Sequence, residues 1–198
     1  MGTIIHGNKN FGFAPIDVSG NTPEFGTPVM VSGLVSVELE VEQSTTSIYA
    51  DNTVYCSVKG AKVRSATATF RNIPSAYAEY LGFKAHDNGM YTDTGIFPNH
   101  CIFFETEEEN CDTGLSTQTL HYLYNVQGSE PSQESTTDED EVEAAEIEVE
   151  YNANDSTFVV DKDGKYLQYG YITRTSENAK LYDTFKSAVI LPTSEIPA

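Results

Sequence analysis

The sequence predicts a mainly β protein, a sandwich or barrel carrying one or two short α-helices and a long acidic loop. Three observations predict it. Apolar residues recur on a two-residue period in several segments, tight-turn dipeptides punctuate them, and only two short stretches show helical spacing. With 198 residues, 39% apolar and 11% aromatic, the chain can bury one sizeable core. One domain over 1–198 is expected, with 1–10 as an N-terminal arm, 128–143 as a flexible acidic loop and 191–198 as a C-terminal tail.

Phe11 to Ile16 is the first extended segment. Between Leu34 and Glu42, Val35, Val37, Leu39 and Val41 alternate with Ser36, Glu38, Glu40 and Glu42, giving one apolar and one acidic face. Further extended segments fall near Ser47 to Val58, Ala61 to Arg71, His100 to Thr106, Thr119 to Gln127 and Tyr166 to Arg174. The apolar positions Val63, Ala66, Ala68 and Phe70 change phase near Ser65, as at a bulge. Asn88-Gly89 and Asp163-Gly164 mark tight turns. A first helix starts at Pro74 and stops at Gly82. A second opens at Ser176-Glu177 and places Ala179, Tyr182, Phe185 and Val189 on one side.

The stretch from Gln127 to Glu150 holds ten acids (Glu130, Glu134, Asp138, Glu139, Asp140, Glu141, Glu143, Glu146, Glu148, Glu150) and no Lys or Arg. Its first part, Gly128 to Asp140, has almost no apolar surface to offset the entropy of ordering, so mobility is expected of it in isolation. From Glu146 to Tyr151 the pattern becomes alternation, with Ile147, Val149 and Tyr151 on one face and three carboxylates on the other. Same-face neighbours on a strand lie about 7 Å apart, where like charges in water repel by about 0.6 kcal/mol, against roughly 1.5 to 3 kcal/mol for each buried Val or Leu. Burial therefore fixes the register while the carboxylates stay wet. An ordinary solvated sheet face accounts for the pattern; so does a face that repels a polyanion.

A formal net charge of −19 argues against binding nucleic acid phosphates, which takes clustered Lys and Arg, and against anionic membranes. The start, Met1 to Lys9, turns polar at once and nothing approaches transmembrane length, so folding in a cytosol is expected. Cys56, Cys101 and Cys111 are an odd count without paired spacing, which suits reduced thiols. His100, Cys101, Cys111 and His121 are zinc-compatible in type but not in spacing, and Cys101 reads as a small buried residue. Asp161-Lys162-Asp163-Gly164 opens like a calcium loop, yet its glycine comes too early and the distal Glu is missing. No phosphate loop or nucleophile elbow is present, so neither an enzyme nor a cofactor nor a metal is expected.

Four landmarks then fall in order along the chain: the Leu34 to Glu42 strand with Tyr49-Ala50-Asp51-Asn52; Pro74 to Gly82 leading to Asn88-Gly89; Tyr122-Leu123-Tyr124-Asn125-Val126 with the acidic loop after it; and a last helix with Tyr182 and Phe185. Together they resemble the major tail proteins of long non-contractile-tailed bacteriophages, the phi13 type. The resemblance implies a tail-tube fold and a structural virion subunit, made in a bacterial cytoplasm, that forms hexameric rings stacked into a conduit for genome delivery. Implied partners are further copies of the chain, tape measure, tail tip and tail terminator proteins, and passing double-stranded DNA that is not specifically bound. No membrane is implied.

On that reading Glu38, Glu40, Glu42, Glu146, Glu148 and Glu150 line the lumen, and Glu130, Pro131, Glu134, Asp138, Glu139, Asp140 and Glu141 belong to a loop between rings. Two other classes stay open. One is a secreted or cell-surface β-sandwich binding domain; the other is an acidic DNA mimic that inhibits a basic protein.

Overall fold

A computed structural model describes residues 2–134 and 144–197. Long alternating runs become long strands. In chain order they are β1 (Thr3–Asp17), β2 (Glu24–Phe25), β3 (Val29–Met30), β4 (Leu34–Ala50), β5 (Thr53–Phe70), β6 (Phe83–Ala85), β7 (Tyr91–Asp93), β8 (His100–Asn110), β9 (Ser116–Gly128), β10 (Ser132–Glu134), β11 (Glu146–Ala153) and β12 (Tyr169–Thr173). Ten of them form one sheet along the path β2-β1-β8-β9-β11-β5-β4, with β3, β10 and β12 pairing onto β1, β11 and β9. The sheet folds over until β1 approaches β4, as in a sandwich, and does not close into a barrel.

Two cores occupy opposite faces of this sheet, because β8 and β9 carry bulk on both sides. Ile102, Phe104, Leu123 and Val126 join Phe11, Ala66, Ala68, Phe70, Val149 and Tyr151 in the inner core. Cys101, Phe103, Leu120, Tyr122 and Tyr124 face the other way, onto Tyr182, Phe185 and Ile190. Helix α1 (Ser75–Ala78), prolonged by a 3₁₀ turn over Glu79–Leu81, buries Tyr77 and Leu81 in the inner core. Gly82 ends it in the left-handed region at φ 90°, where an added Cβ would sit 2.7 Å from the Phe97 ring. Helix α2 (Ala179–Tyr182), prolonged by a 3₁₀ turn over Asp183–Lys186, covers the outer core.

Several expectations change. Ser47 to Val58 is not one extended segment: the chain reverses at Asp51 and Asn52, whose φ values of 51° and 61° suit the mirror-image turn of a two-residue hairpin. Nor does a bulge sit at Ser65. β5 runs in unbroken register with β11 from Arg64 to Phe70, and the shifts against β4 fall at Leu34/Ser36, Gln43/Thr45 and Ile48/Tyr49. Val63 accordingly leaves the core face and is 57% exposed. The second helix begins after Asn178 rather than at Ser176. Thr175 N–H donates to Asn178 Oδ1 at 2.8 Å, and Asn178 N–H donates to Thr175 Oγ1 at 3.3 Å.

Residues 3–10, set apart as an arm, run antiparallel to β8 with Thr3 opposite Asn110. The acidic loop begins with a strand, β10, on β11; its members Asp138, Glu139, Asp140 and Glu141 lie outside the described residues. Among the described residues no helix is long and apolar enough to cross a membrane, and no three His, Cys, Asp or Glu side chains gather as a metal site.

Candidate functional site

β5 is the shared neighbour of both acidic strands. Glu38 pairs with Thr67, and Thr67 pairs on its other side with Glu150; Ser36, Thr69 and Glu148 form the next row. Directly paired residues point to the same side of a sheet. Ala66, Ala68, Phe70, Val149 and Tyr151 fill the inner core, so the intervening positions face outward. The structure thus brings Glu38, Glu40, Glu42, Glu146, Glu148 and Glu150 to one exposed face.

Ser65, Thr67 and Thr69 form a neutral row between the two acidic ones. With strands about 4.8 Å apart, carboxylates on β4 and β11 stand about 10 Å from each other at their roots. Their repulsion in water is about 0.4 kcal/mol per pair before salt screens it, whereas carboxylates directly opposite would be closer and more costly. The hydroxyl row is what lets two acidic strands share a face. One direct pair does occur, Glu134 of β10 opposite Glu146. There Arg71 Nη2 sits 3.1 Å from Glu146 Oε1 and relieves it.

Sequence reasoning missed Glu134 as part of this face, because a polar run carries no alternation to signal a strand. It also missed the hydroxyl row, although Arg64-Ser65-Ala66-Thr67-Ala68-Thr69-Phe70 shows the alternation once Ala is counted as apolar.

β4 and β5 then leave the body as a hairpin on which every residue from 41 to 63 is exposed. The acidic side continues outward through Val63, then Val58 opposite Thr46, then Ile48 opposite Cys56. The reverse side carries Val41 opposite Arg64, Gln43 opposite Lys62 and Thr45 opposite Lys59. Tyr49 and Tyr55, near the tip, are 68% and 77% exposed. A lone two-stranded ribbon is marginal in water, and an uncovered edge strand is a template for pairing. Among the described residues the outer edge of β4, seventeen residues long, has no strand beside it.

Polar groups inside the body hold the frame. Tyr77 Oη lies 2.9 Å from Tyr151 Oη and 3.0 Å from His100 Nε2, while His100 Nδ1 lies 2.9 Å from the Pro98 carbonyl. Burial pushes the His100 imidazole down to about 4 and the Cys101 thiol well up, so both stay neutral. His121 stacks on Phe104 and bonds Thr106 and Tyr169. These groups tie strands together; the exposed face and hairpin offer charge and edges rather than a reacting group.

A family model described as phage tail tube protein matches residues 2–198. No curated protein sequence matches the chain. The match takes in both acidic strands, the projecting hairpin and the last helix, and it displaces the surface-receptor and DNA-mimic readings. The chain belongs to the phage tail tube protein family, a structural component of the virion rather than an enzyme.

Proposed function

We propose that copies of this chain associate head to tail into hexameric rings that stack as a conduit for double-stranded DNA, with Glu38, Glu40, Glu42, Glu146, Glu148 and Glu150 facing the lumen. The whole chain acts as one tail-tube domain, and the tape measure, tail tip and tail terminator proteins set where the stack begins, how long it grows and where it ends. The observation that carries this reading is the row Glu38–Thr67–Glu150, which joins two acidic strands into a single face. DNA presents about one negative charge per 1.7 Å of axis, so a wall of carboxylates and hydroxyls gives it nowhere to adhere.

The free edge of β4 supports ring closure, since strand addition supplies main-chain hydrogen bonds and a head-to-tail interface closes when its rotation divides a circle. Glu130, Pro131 and Glu134, with Asp138, Glu139, Asp140 and Glu141, bridge one ring to the next.

The test replaces Glu38, Glu40, Glu148 and Glu150 with Lys together. Tubes should still appear by negative-stain microscopy while DNA ejection slows or stops. Ejection at the wild-type rate, or a map of the assembled tube with these glutamates on its exterior, overturns the reading.

A further inference from the structure

The chain holds 30 acids against 11 Lys and Arg, so an unpaired cation has many carboxylates to choose from. Lys9 takes two, and Arg71 and Arg174 take one each. Among the described residues the other eight form no salt bridge, and three of them, Lys62, Arg64 and Lys165, are gathered in the lining of a single cavity of about 460 Å³. It lies between the Gly60 to Arg64 stretch of β5 and the segment from Lys165 to Tyr169, on the side of the hairpin opposite the acidic face. Asp155 is the one carboxylate in its lining.

The walls of this cleft are held apart and in place. Arg64 Nη1 donates to Gln168 Oε1 at 3.3 Å and its guanidinium stands 5.2 Å from the centre of the Tyr169 ring. Gln168 Nε2 donates back to the Lys62 carbonyl at 3.4 Å, and Gln43 Nε2 donates to the Gly60 carbonyl at 2.9 Å. An amide and an aromatic ring thus orient the Arg64 guanidinium without neutralising it, while the other amides hold the backbone of β5, which leaves the charge of the cleft for an anionic guest.

We infer that this cleft seats the acidic segment 135–143 of a second copy of the chain. That segment, Ser-Thr-Thr-Asp-Glu-Asp-Glu-Val-Glu, has five carboxylates and no cation. Its ends are fixed at the far end of β5, since Glu134 pairs with Glu146 and the Arg71 guanidinium donates to the Ala144 carbonyl at 2.7 Å. From Arg71, just past the end of β5, back to Lys62 is nine residues of extended chain, about 30 Å at 3.3 Å per residue. Ten peptide steps join Glu134 to Ala144, so the tip of the segment reaches at most about 17 Å from its anchors. It falls short of its own cleft. The donor leaves one end of β5 and the receptor lies about 30 Å along the strand, near its middle, a separation that a head-to-tail stack can close and an isolated subunit cannot.

The inference rests on the proposed stacking and names the contact that holds it. Full-length protein is assembled, treated with a carbodiimide that joins amine to carboxylate at contact distance, and mapped by mass spectrometry. Lys62 or Lys165 should be joined to an acid between Asp138 and Glu143 in the assembled fraction and not in the monomer fraction. K62E/K165E should melt like the wild type, since both positions are exposed, yet slow tube elongation roughly tenfold or more through like-charge contact. Adding D138K/D140K to it should restore growth. Unchanged elongation of K62E/K165E, or assembled tubes without such cross-links, overturns the inference alone; failure of the wild type to stack overturns the proposed function and this contact together.

Discussion

The Tyr182 hydroxyl donates to Glu105 Oε2 across 3.0 Å, joining α2 to β8. Glu105 is 3% exposed, and Lys9 Nζ of β1 lies 3.2 Å from its other oxygen. A buried carboxylate thus has a donor on each side, one from the N-terminal strand and one from the C-terminal helix, as a charge out of water requires. Burial first, and then the Glu105 charge, push the tyrosine hydroxyl well up, so it remains a donor. Tyr182→Phe removes only the hydroxyl and should cost about 2 kcal/mol, within the range for a hydrogen bond to a charged acceptor. Urea denaturation measures it; a midpoint equal to wild type would show that the helix docks by apolar contact alone.

His100 sets an acid limit on the fold. Burial lowers it from 6.5 to about 4, so the folded state refuses a proton that the unfolded chain accepts. Its contribution is fully present above pH 6.5 and is lost as pH falls toward 4; that gap, at 1.36 kcal/mol per pH unit, corresponds to about 3 kcal/mol. Carboxylates titrate in the same window, so the comparison is with His100→Gln, which keeps a polar partner for Tyr77. Between pH 7 and pH 4.5 the wild type should lose more stability than this variant. Parallel curves would assign the acid response to the carboxylates.

Both acidic strands were legible because their alternation is strict: three glutamates against Val37 and Leu39 in one, three against Ile147, Val149 and Tyr151 in the other. That β5 lies between them was not, since strand order is set by long-range pairing that a single strand's pattern does not encode. α1 was legible from Pro74 and Gly82, which act locally. The start of α2 differs from the expected Ser176 because residues 176–178 form a turn closed by the two reciprocal Thr175–Asn178 bonds, and the helix begins only after it. The turn at Asp51-Asn52 is not legible, and Ser47 to Val58 reads as one extended segment across it, because Asp-Asn is a weaker turn signal than Asn-Gly and no burial marks the faces of the hairpin. The Lys62, Arg64 and Lys165 cleft joins residues a hundred positions apart and left no sequence signal.

That turn yields a local prediction. Asn52 holds φ at 61°, which Gly adopts freely and a β-branched residue resists. Asn52→Gly should leave tip amides as protected from hydrogen exchange as in the wild type or more so, whereas Asn52→Val should fray them. The global melting temperature should not move in either variant, because the distal hairpin buries nothing in the subunit. A drop in melting temperature with Asn52→Val would mean that the hairpin contributes to the fold of the subunit.

Thr67 separates the stability of the acidic face from its function. A lysine there would stand directly between Glu38 and Glu150, gaining two cross-strand partners worth roughly 0.2 to 1 kcal/mol each. Thr67→Lys should therefore raise the denaturation midpoint of the isolated subunit slightly, and raise it more at low salt than at high salt. The same cation repeated in every subunit would give a passing phosphate backbone a ring of contacts, so DNA release from assembled particles should slow as salt is lowered. A more stable subunit with slower release is the signature of a face shaped to repel DNA. A more stable subunit with unaltered release would mean that this sheet face, whatever else it touches, does not meet the genome.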